Sequence, residues 1–171
     1  MTHPPVVIVD KEDQVVGEEM LDEARLRGLI YRLVFIVAVG SDGRVLLQKR
    51  SSKMRLWPGC WDISAGGHVD DGHTYEEAAR FELEEELGVR GVPLREIAHF
   101  YMDTPLWGNV PAKRFCKLYQ TSLDALPEGL GEEEVAAVHW FTKDELRALV
   151  SSQPTQIAEG LAYSLLYILE I

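Results

Sequence analysis

The pattern of hydrophobic and polar positions predicts strands that alternate with helices. Residues 33–39 form a continuous apolar run rich in β-branched side chains, which predicts a buried strand. A glycine-containing turn at residues 40–43 follows, so residues 44–49 are expected to return as the partner of that strand. Other short strands are predicted at residues 6–10, 14–18, 95–101, 113–120 and 136–141, and helices at residues 20–27, 143–150 and 158–170. Such interleaving is typical of an α/β sandwich.

One further helix, predicted between residues 74 and 88, has signals at both ends. Thr74, followed three residues later by Glu77, is a capping-box signature. Gly88 is a natural stop, because glycine tolerates the conformation that ends many helices. The apolar stripe expected to pack on a sheet consists of Ala79, Leu83 and Leu87. The residues expected to face water are Glu77, Arg80 and Glu84.

A second stripe on this helix consists of carboxylates. Glu82, Glu85 and Glu86 fall within about 100° of arc. Like charges at these spacings cost a helix a few tenths of a kcal/mol per pair, so three of them beside an apolar face suggest a compensating cation. Mg²⁺ and Mn²⁺ prefer oxygen ligands and keep waters that substrate phosphates can replace. A solvated acidic face is the alternative, and charge runs are usually only that.

The segment from residue 67 to residue 89 resembles the signature of the Nudix hydrolases. The positions that fit this signature are Gly67, Glu82, Leu83, Glu85, Glu86, Gly88 and Val89. Two positions depart from it, because His73 stands where the family has a glutamate and Phe81 where it has an arginine. In the family those two side chains mainly form a charged pair that braces the loop–helix–loop. Replacing both partners of such a pair can be nearly neutral, so the resemblance implies an altered brace.

Flanking segments extend the resemblance over roughly residues 6–150. Residues 8–17, 45–51 and 56–67 are similar to the Nudix subgroup near isopentenyl diphosphate isomerase. That isomerase uses a cysteine just before the first glycine of the signature, together with histidine metal ligands in its N-terminal part. Residues 64–67 contain no cysteine, Cys60 lies several residues too early, and His3 is the only histidine before residue 68. The hydrolase-like members of the subgroup are therefore the better match.

The resemblance implies a fold and an activity for residues 1–171 as a single domain. The expected fold is an α/β/α sandwich with a mixed β-sheet and a loop–helix–loop motif. The expected activity is divalent-metal-dependent cleavage of the diphosphate linkage of a nucleoside diphosphate derivative or a related compound, with Mg²⁺ or Mn²⁺ as cofactor. A non-catalytic module that binds nucleotides or diphosphates is the alternative, because of the departures at His73 and Phe81.

Site residues follow from the same resemblance and from residue chemistry. The metal ligands implied are Glu82, Glu85, Glu86 and the carbonyl of Gly66. The residues expected to take part in catalysis are Glu82, Glu85 and Glu133; the base is either Glu85 or one of the three glutamates at residues 132–134. The residues expected to contact the substrate are Arg50, Lys49 and Trp107, and Arg50 is able to bind two phosphate oxygens at once.

Histidine and tryptophan side chains near these segments each have two interpretations. His68 and His73 are candidates for a catalytic or metal role, with loop or cap positions as the alternative. Trp57 and Trp61 are candidates to line the pocket, with core packing as the alternative.

Charge and composition limit the classes of partner. The formal net charge of −11 argues against a nucleic-acid-binding surface, which requires a basic patch. The N-terminus lacks the layout of a signal peptide, and residues 33–39 are too few to span a membrane, so a cytoplasmic protein is expected. Cys60 and Cys116 are expected to be small buried hydrophobes. The apolar segment at residues 161–169 is either a core helix or the face of a homodimer.

Overall fold

The computed structural model describes residues 4–106 and 110–171, which contain nine strands and four α-helices. The strands are β1 (Val6–Val9), β2 (Val15–Glu19), β3 (Ile30–Val39), β4 (Val45–Arg50), β5 (Trp61–Asp62), β6 (Ala65–His68), β7 (Arg95–Asp103), β8 (Lys113–Ser122) and β9 (Val135–Phe141). The α-helices are α1 (Leu21–Leu26), α2 (Tyr75–Leu87), α3 (Lys143–Ser152) and α4 (Glu159–Glu170), and a 3-10 turn covers Pro154–Gln156.

Every strand and helix that the sequence predicts is confirmed, with small differences in its limits. The largest difference is at β3, which begins at Ile30 because Ile30 and Tyr31 pair with Val9 and Ile8 of β1. Sequence analysis missed β5 and β6. Both are short, and β6 contains Gly66 and Gly67, which carry no strand signal.

Strand β3 organises a mixed sheet. Along its whole length it pairs in parallel with β8. Its other edge pairs antiparallel with β1, then β6, then β4. β7 extends the sheet beyond β8, β9 and β5 pair with β4, and β2 pairs with β1. β6 therefore lies beside the centre of β3.

Alternate residues of β3 belong to two separate cores. Tyr31, Leu33 and Phe35 join the core that also holds buried residues of α1, α3 and α4. Val34 and Ile36 join the core that holds the apolar stripe of α2. Because helices cover both faces of a mixed sheet, the expected α/β sandwich is confirmed.

The ends of α2 are those that the sequence predicts. The Thr74 hydroxyl accepts a hydrogen bond from the Glu77 N–H, and the Glu77 carboxylate accepts one from the Thr74 N–H. Gly88 ends the helix with φ of +66°. The helix therefore starts and stops at fixed points, which fixes the direction in which its glutamates project.

A cluster of opposite charges joins the β1–β2 turn to the start of α2. Asp13 is buried and accepts hydrogen bonds from Arg32 Nε at 2.7 Å and from the Tyr75 hydroxyl at 2.9 Å. His99 Nε2 lies 3.0 Å from the same carboxylate. We call these four residues the Asp13 cluster. It ties the β1–β2 turn, β3, α2 and β7 together.

Two smaller predictions concern cysteines and membrane spans. Cys60 and Cys116 are buried and carry free thiols, as expected. Within the described residues, none of the helices combines the length and the apolar character needed to cross a bilayer.

Candidate metal centre and substrate cleft

A cleft of about 460 Å³ lies along β3, between the second half of α2 and the start of α4. Its apolar floor comes from alternate residues of β3, which are Tyr31, Leu33 and Phe35. Carboxylates from α2 approach the cleft near Phe35, and arginines line it near Tyr31. Arg50, Asp62, Asp70 and Glu159 also line it, so charged side chains of both signs occur along the cleft.

Two adjacent glycines let the carboxylates of α2 come against the backbone of β6. A Cβ atom at Gly67 would lie 2.0 Å from Glu82 Oε1, so only glycine leaves room for that carboxylate. The Gly66 N–H donates a hydrogen bond of 3.0 Å to Glu86 Oε2. Gly66 and Gly67 are thus required by close approach, and neither has a left-handed φ.

Glu86 is the most deeply buried glutamate of the site. Glu86 is only 2% exposed. Its carboxylate accepts hydrogen bonds from Gln48 Nε2 and from the Gly66 N–H, both at 3.0 Å. Burial raises its pKa well above the ordinary value, and the nearby charge of Glu82 raises it further. Two neutral donors therefore hold the carboxylate in place, and no cationic side chain among residues 4–106 and 110–171 is paired with it.

Glu82 is a second carboxylate of the site with a raised pKa. Burial is the main cause that raises its pKa to about 8, and the charges of Glu134, Glu85 and Asp70 add to the effect. Carboxylates that raise one another's pKa are destabilised in their charged form. A hard divalent cation would relieve that cost, because such cations bind carboxylate oxygens.

Glu134 joins this group from the loop before β9. The loop packs on the end of α2, where the Gly131 N–H donates to the Glu86 carbonyl at 2.9 Å. Glu134 lines the cleft together with Glu85. Glu133, by contrast, has a side chain 82% exposed and pairs with Lys53 at 2.7 Å. The structure therefore places Glu134, and not the expected Glu133, beside the α2 carboxylates; we call Glu82, Glu85, Glu86 and Glu134 the carboxylate cluster.

The carboxylate cluster fits a hard cation by its chemistry. Its four side chains all offer carboxylate oxygens as ligand atoms. Two of these carboxylates, Glu82 and Glu86, are buried and have raised pKa values. Among residues 4–106 and 110–171, no group of three or more Asp, Glu, His or Cys side chains is already converged closely enough to hold a metal ion. The metal site is therefore a proposal that rests on the donors and their charge.

The three expected substrate contacts lie in different places. Arg50 lines the cleft, where it donates to Asp62 Oδ2 and the Leu56 carbonyl, both at 3.2 Å. Lys49 points away, with its ammonium 5.7 Å from the ring centre of Trp61, and is not among the cleft residues. Trp107 lies outside the described residues.

Two of the four tryptophan and histidine residues with two interpretations line the cleft, and two do not. Trp57 and His68 line the cleft, whereas Trp61 packs edge-on against Phe141 and His73 lies at the exposed start of α2, away from the cleft. Phe81, at the position of the family's arginine, lines the cleft and is 60% exposed. Neither departure from the signature fills the carboxylate cluster with a competing charge.

Sequence analysis missed five charged residues of the cleft, which are Arg25, Asp62, Asp70, Arg114 and Glu159. Asp62 is buried, which raises its pKa, while Arg50 lowers it; its Oδ1 accepts the Leu161 N–H at the start of α4. Arg114 and Glu159 form a buried ion pair between β8 and α4. Arg25 comes from the short helix α1. Only the fold brings these positions together, since no local spacing links them.

Comparisons with known proteins agree with this geometry. Residues 31–162 match the NUDIX domain family. The chain is 39% identical over 138 residues to the uncharacterized Nudix hydrolase PA4841 of Pseudomonas aeruginosa, covering 81% of this chain and 78% of that protein. It is 32% identical over 146 residues to the uncharacterized Nudix hydrolase YfcD of Escherichia coli K12, covering 84% of this chain and 76% of that protein.

Solved structures show the same fold. DR0079 from Deinococcus radiodurans superposes with a TM-score of 0.77 at 29% identity, covering 94% of this chain and 96% of that one. The NUDIX domain of Shewanella oneidensis NrtR, solved in complex with ADP ribose, gives a TM-score of 0.58 at 15% identity over 80% of this chain and 84% of that one. The family match, the relatives and the carboxylate-bearing cleft together establish that this chain belongs to the Nudix hydrolase family and is an enzyme of the pyrophosphohydrolase type.

Proposed function

We propose that this enzyme hydrolyses the diphosphate linkage of a nucleoside diphosphate derivative or a related compound, with Mg²⁺ or Mn²⁺ as cofactor. The observation that carries the proposal is the carboxylate cluster. Glu82 and Glu86 are buried, carry raised pKa values and have no cationic partner among the described side chains. Folding such a group is costly unless a cation binds there.

The proposed metal ligands are Glu82, Glu85, Glu86 and the carbonyl of Gly66. Glu82 and Glu86 lie against β6, and Gly66 is hydrogen-bonded to Glu86 through its N–H. A bound divalent cation would neutralise charge on the diphosphate oxygens and so make one phosphorus easier for water to attack. The proposed ligands lie close together, so they would hold the cation in one part of the cleft.

The proposed catalytic base is Glu134, with Glu85 as the alternative. Both line the cleft and are close enough to Glu82 to raise its pKa. Glu134 comes from a different segment than the α2 glutamates, so it can face the attacking water while the helix supplies the metal ligands. Either carboxylate would accept one proton from that water as its oxygen bonds to phosphorus.

Arg50 is the proposed phosphate contact. Its guanidinium is held by Asp62 and the Leu56 carbonyl, which orients it at the cleft wall. An oriented guanidinium is suited to bind phosphate oxygens and to stabilise charge that develops on the leaving group. Roles for Lys49 and Trp107 stay predictions.

The experiment that tests the proposal is a hydrolysis panel of diphosphate-linked compounds, ADP-ribose among them, with Mg²⁺, Mn²⁺ or chelator. We expect chelator to abolish turnover and Glu86→Gln to lower kcat/KM by about a thousandfold, since a metal ligand is lost. Glu84→Gln is the matched control, because Glu84 lies exposed on the same helix and pairs with Arg90. Full metal-dependent turnover in Glu86→Gln would refute the ligand assignment.

Binding without turnover is the result that would overturn the proposed hydrolysis. Phe81 is the reason to look for it, because this side chain is exposed at the cleft wall, where the family has a bracing arginine. In that case the same compounds would bind in the presence of Mg²⁺ but be recovered intact. Product release measured in the hydrolysis panel decides between the two.

A further inference from the structure

Gln48 is a buried polar side chain in a strand whose preceding residues are apolar. Val45, Leu46 and Leu47 come directly before it in β4 and are fully buried. Gln48 itself is only 1% exposed. Burial of an amide costs free energy unless its carbonyl and its NH₂ group both find hydrogen-bond partners. An apolar side chain would fill this position without that cost, so packing alone does not account for a glutamine here.

The alternation of β4 directs Gln48 towards α2. Successive side chains of a strand point to opposite faces of the sheet. Val45 and Leu47 belong to the core under α3 and α4, whereas Leu46 belongs to the core that holds the apolar stripe of α2. Gln48 lies on the same face as Leu46, and its Nε2 donates to Glu86 Oε2 at 3.0 Å. The amide therefore reaches the carboxylate cluster from the sheet.

The backbone of Gln48 is fixed on both sides. Gln48 pairs with Asp62 of β5 at one edge of β4 and with Val138 of β9 at the other. A side chain carried by a strand with neighbours at both edges is placed more precisely than one carried by a loop. The position of the Gln48 donor is thus set by the sheet, independently of α2.

Both donors that hold Glu86 end at the same oxygen. The Gly66 N–H of β6 donates to Glu86 Oε2 at 3.0 Å, as Gln48 Nε2 does from β4. Two hydrogen bonds from different strands to one oxygen restrict the rotation of the carboxylate. They also leave Oε1 as the oxygen of Glu86 that is available to bind a cation.

The other end of the Gln48 amide shows that this arrangement does not serve the fold. Gln48 Oε1 is buried and has no hydrogen-bond partner within residues 4–106 and 110–171. A buried acceptor without a partner costs stability, and a polar network that stabilises a core satisfies all of its members. The amide satisfies Glu86 but is itself only half satisfied, which favours a role in the site.

We propose that Gln48 is a positioning residue for the metal ion: its Nε2 holds Glu86 Oε2, so that Oε1 is presented to the divalent cation. This inference rests on the proposed function, because it takes Glu86 to be a metal ligand. Gln48 acts through Glu86 and does not bind the cation itself. Loss of a partner that orients a metal ligand typically weakens metal binding by about tenfold to a hundredfold.

Mn²⁺ binding in the absence of substrate tests the inference without need of turnover. Dissociation constants are measured by calorimetry for the wild-type protein, Gln48→Met, Gln48→Leu and Leu47→Met, and the site of interest is the one that Glu86→Gln loses. Both Gln48 variants remove the donor, and two side chains are used so that the result does not depend on how one of them packs. Leu47→Met is the matched control, because Leu47 is the buried neighbour that faces the other core.

We expect Gln48→Met to weaken Mn²⁺ binding by about tenfold to a hundredfold and Leu47→Met to leave it unchanged. The kcat of Gln48→Met at saturating Mn²⁺ should stay close to that of the wild-type protein, so that the loss lies in the metal dependence. Its denaturant midpoint in chelator should change little, because the substitution removes one hydrogen bond and one unsatisfied acceptor together.

Two results would overturn the inference and leave the proposed function in place. One is unchanged Mn²⁺ affinity in a folded Gln48→Met or Gln48→Leu protein. The other is loss of folding in both Gln48 variants while Leu47→Met folds, because Gln48 would then be a structural residue. A wild-type protein that binds no Mn²⁺ at the site of Glu86 would instead refute the proposed function, and this inference with it.

Discussion

Two buried polar clusters contact helix α2, and their charges are arranged in opposite ways. In the Asp13 cluster at the start of the helix, one carboxylate is bonded to Arg32, Tyr75 and His99. In the carboxylate cluster near its end, glutamates raise one another's pKa. A paired cluster stabilises the fold, while a cluster of like charges costs stability unless a cation binds or a carboxylate is protonated. This contrast is the physical argument for the proposal that the second cluster binds the metal ion.

Removal of Asp13 gives the largest expected change in stability. Asp13→Ala leaves Arg32 buried without its partner and also places alanine at φ of +59°. We expect the free energy of unfolding to fall by about 3 kcal/mol, as for other broken buried pairs. Denaturant unfolding measures this value.

Asp13→Asn is the matched control for Asp13→Ala, because asparagine tolerates the left-handed conformation and removes only the charge. In both variants kcat should stay close to that of the wild-type protein when measured on folded enzyme. An Asp13→Ala protein as stable as the wild type would show that this cluster does not act as a brace.

The carboxylate cluster should make the metal-free protein less stable as pH rises. Glu82 has a folded-state pKa of about 8, above its ordinary value of 4.5, so the folded state holds the proton more tightly than the unfolded state. Its stabilising contribution is complete below pH 4.5 and is lost as pH rises towards 8. Between pH 6 and pH 8.5 we expect a loss on the order of 2 kcal/mol in the presence of chelator.

Glu82→Gln and added Mg²⁺ should each reduce this dependence, whereas Glu84→Gln should not, because Glu84 is exposed. Denaturant unfolding at the two pH values, with chelator or Mg²⁺, measures all three effects. Stability that rises with pH in the chelated wild-type protein would contradict the charge arrangement on which the metal proposal depends.

Gly67→Ala should produce a smaller change that separates geometry from stability. The added Cβ meets the flexible end of Glu82 at 2.0 Å, so the carboxylate moves while the backbone stays. We expect kcat/KM to fall about tenfold with less than about 1 kcal/mol lost in the free energy of unfolding. Steady-state kinetics over a range of Mg²⁺ concentrations, with unfolding curves alongside, test both parts.

Gly17→Ala is the control for this change, because a Cβ at Gly17 meets no atom within 4 Å. Gly66→Ala is a contrast, since its Cβ meets the Val34 carbonyl at 2.7 Å and should destabilise the fold as well. Unchanged kinetics in Gly67→Ala would mean that the position of Glu82 is not critical.

Local signals in the sequence predict the frame of the site but not its full set of residues. The capping box at Thr74 and the stop at Gly88 fix α2, and helical spacing then places Glu82, Glu85 and Glu86 on one side. These features depend on residues close in sequence. They were therefore predictable from spacing and from the family resemblance.

The remaining site residues are brought together by contacts between segments that are far apart in the sequence. Three adjacent glutamates gave no basis for choosing Glu134 over Glu133; the choice depends on the Glu134 carbonyl, which accepts the Ser51 N–H at 2.7 Å, and on the packing of this loop against α2. The place of Arg114 in the cleft likewise depends on the register of β3 with β8, which sets Arg114 opposite Tyr31. Neither contact leaves a periodic pattern in the chain.

The short helix α1 and the β1–β2 turn lie outside the segment that matches the NUDIX domain family. Arg25 and Asp13 both precede residue 31, where the match to the NUDIX domain family begins. The shared region carries the carboxylates that would perform hydrolysis, whereas part of the pocket wall and a structural brace come from the segment before it. Residues 31–162 produced alone would therefore keep the carboxylates but lose Arg25 from the cleft wall and Asp13 from the brace at the start of α2.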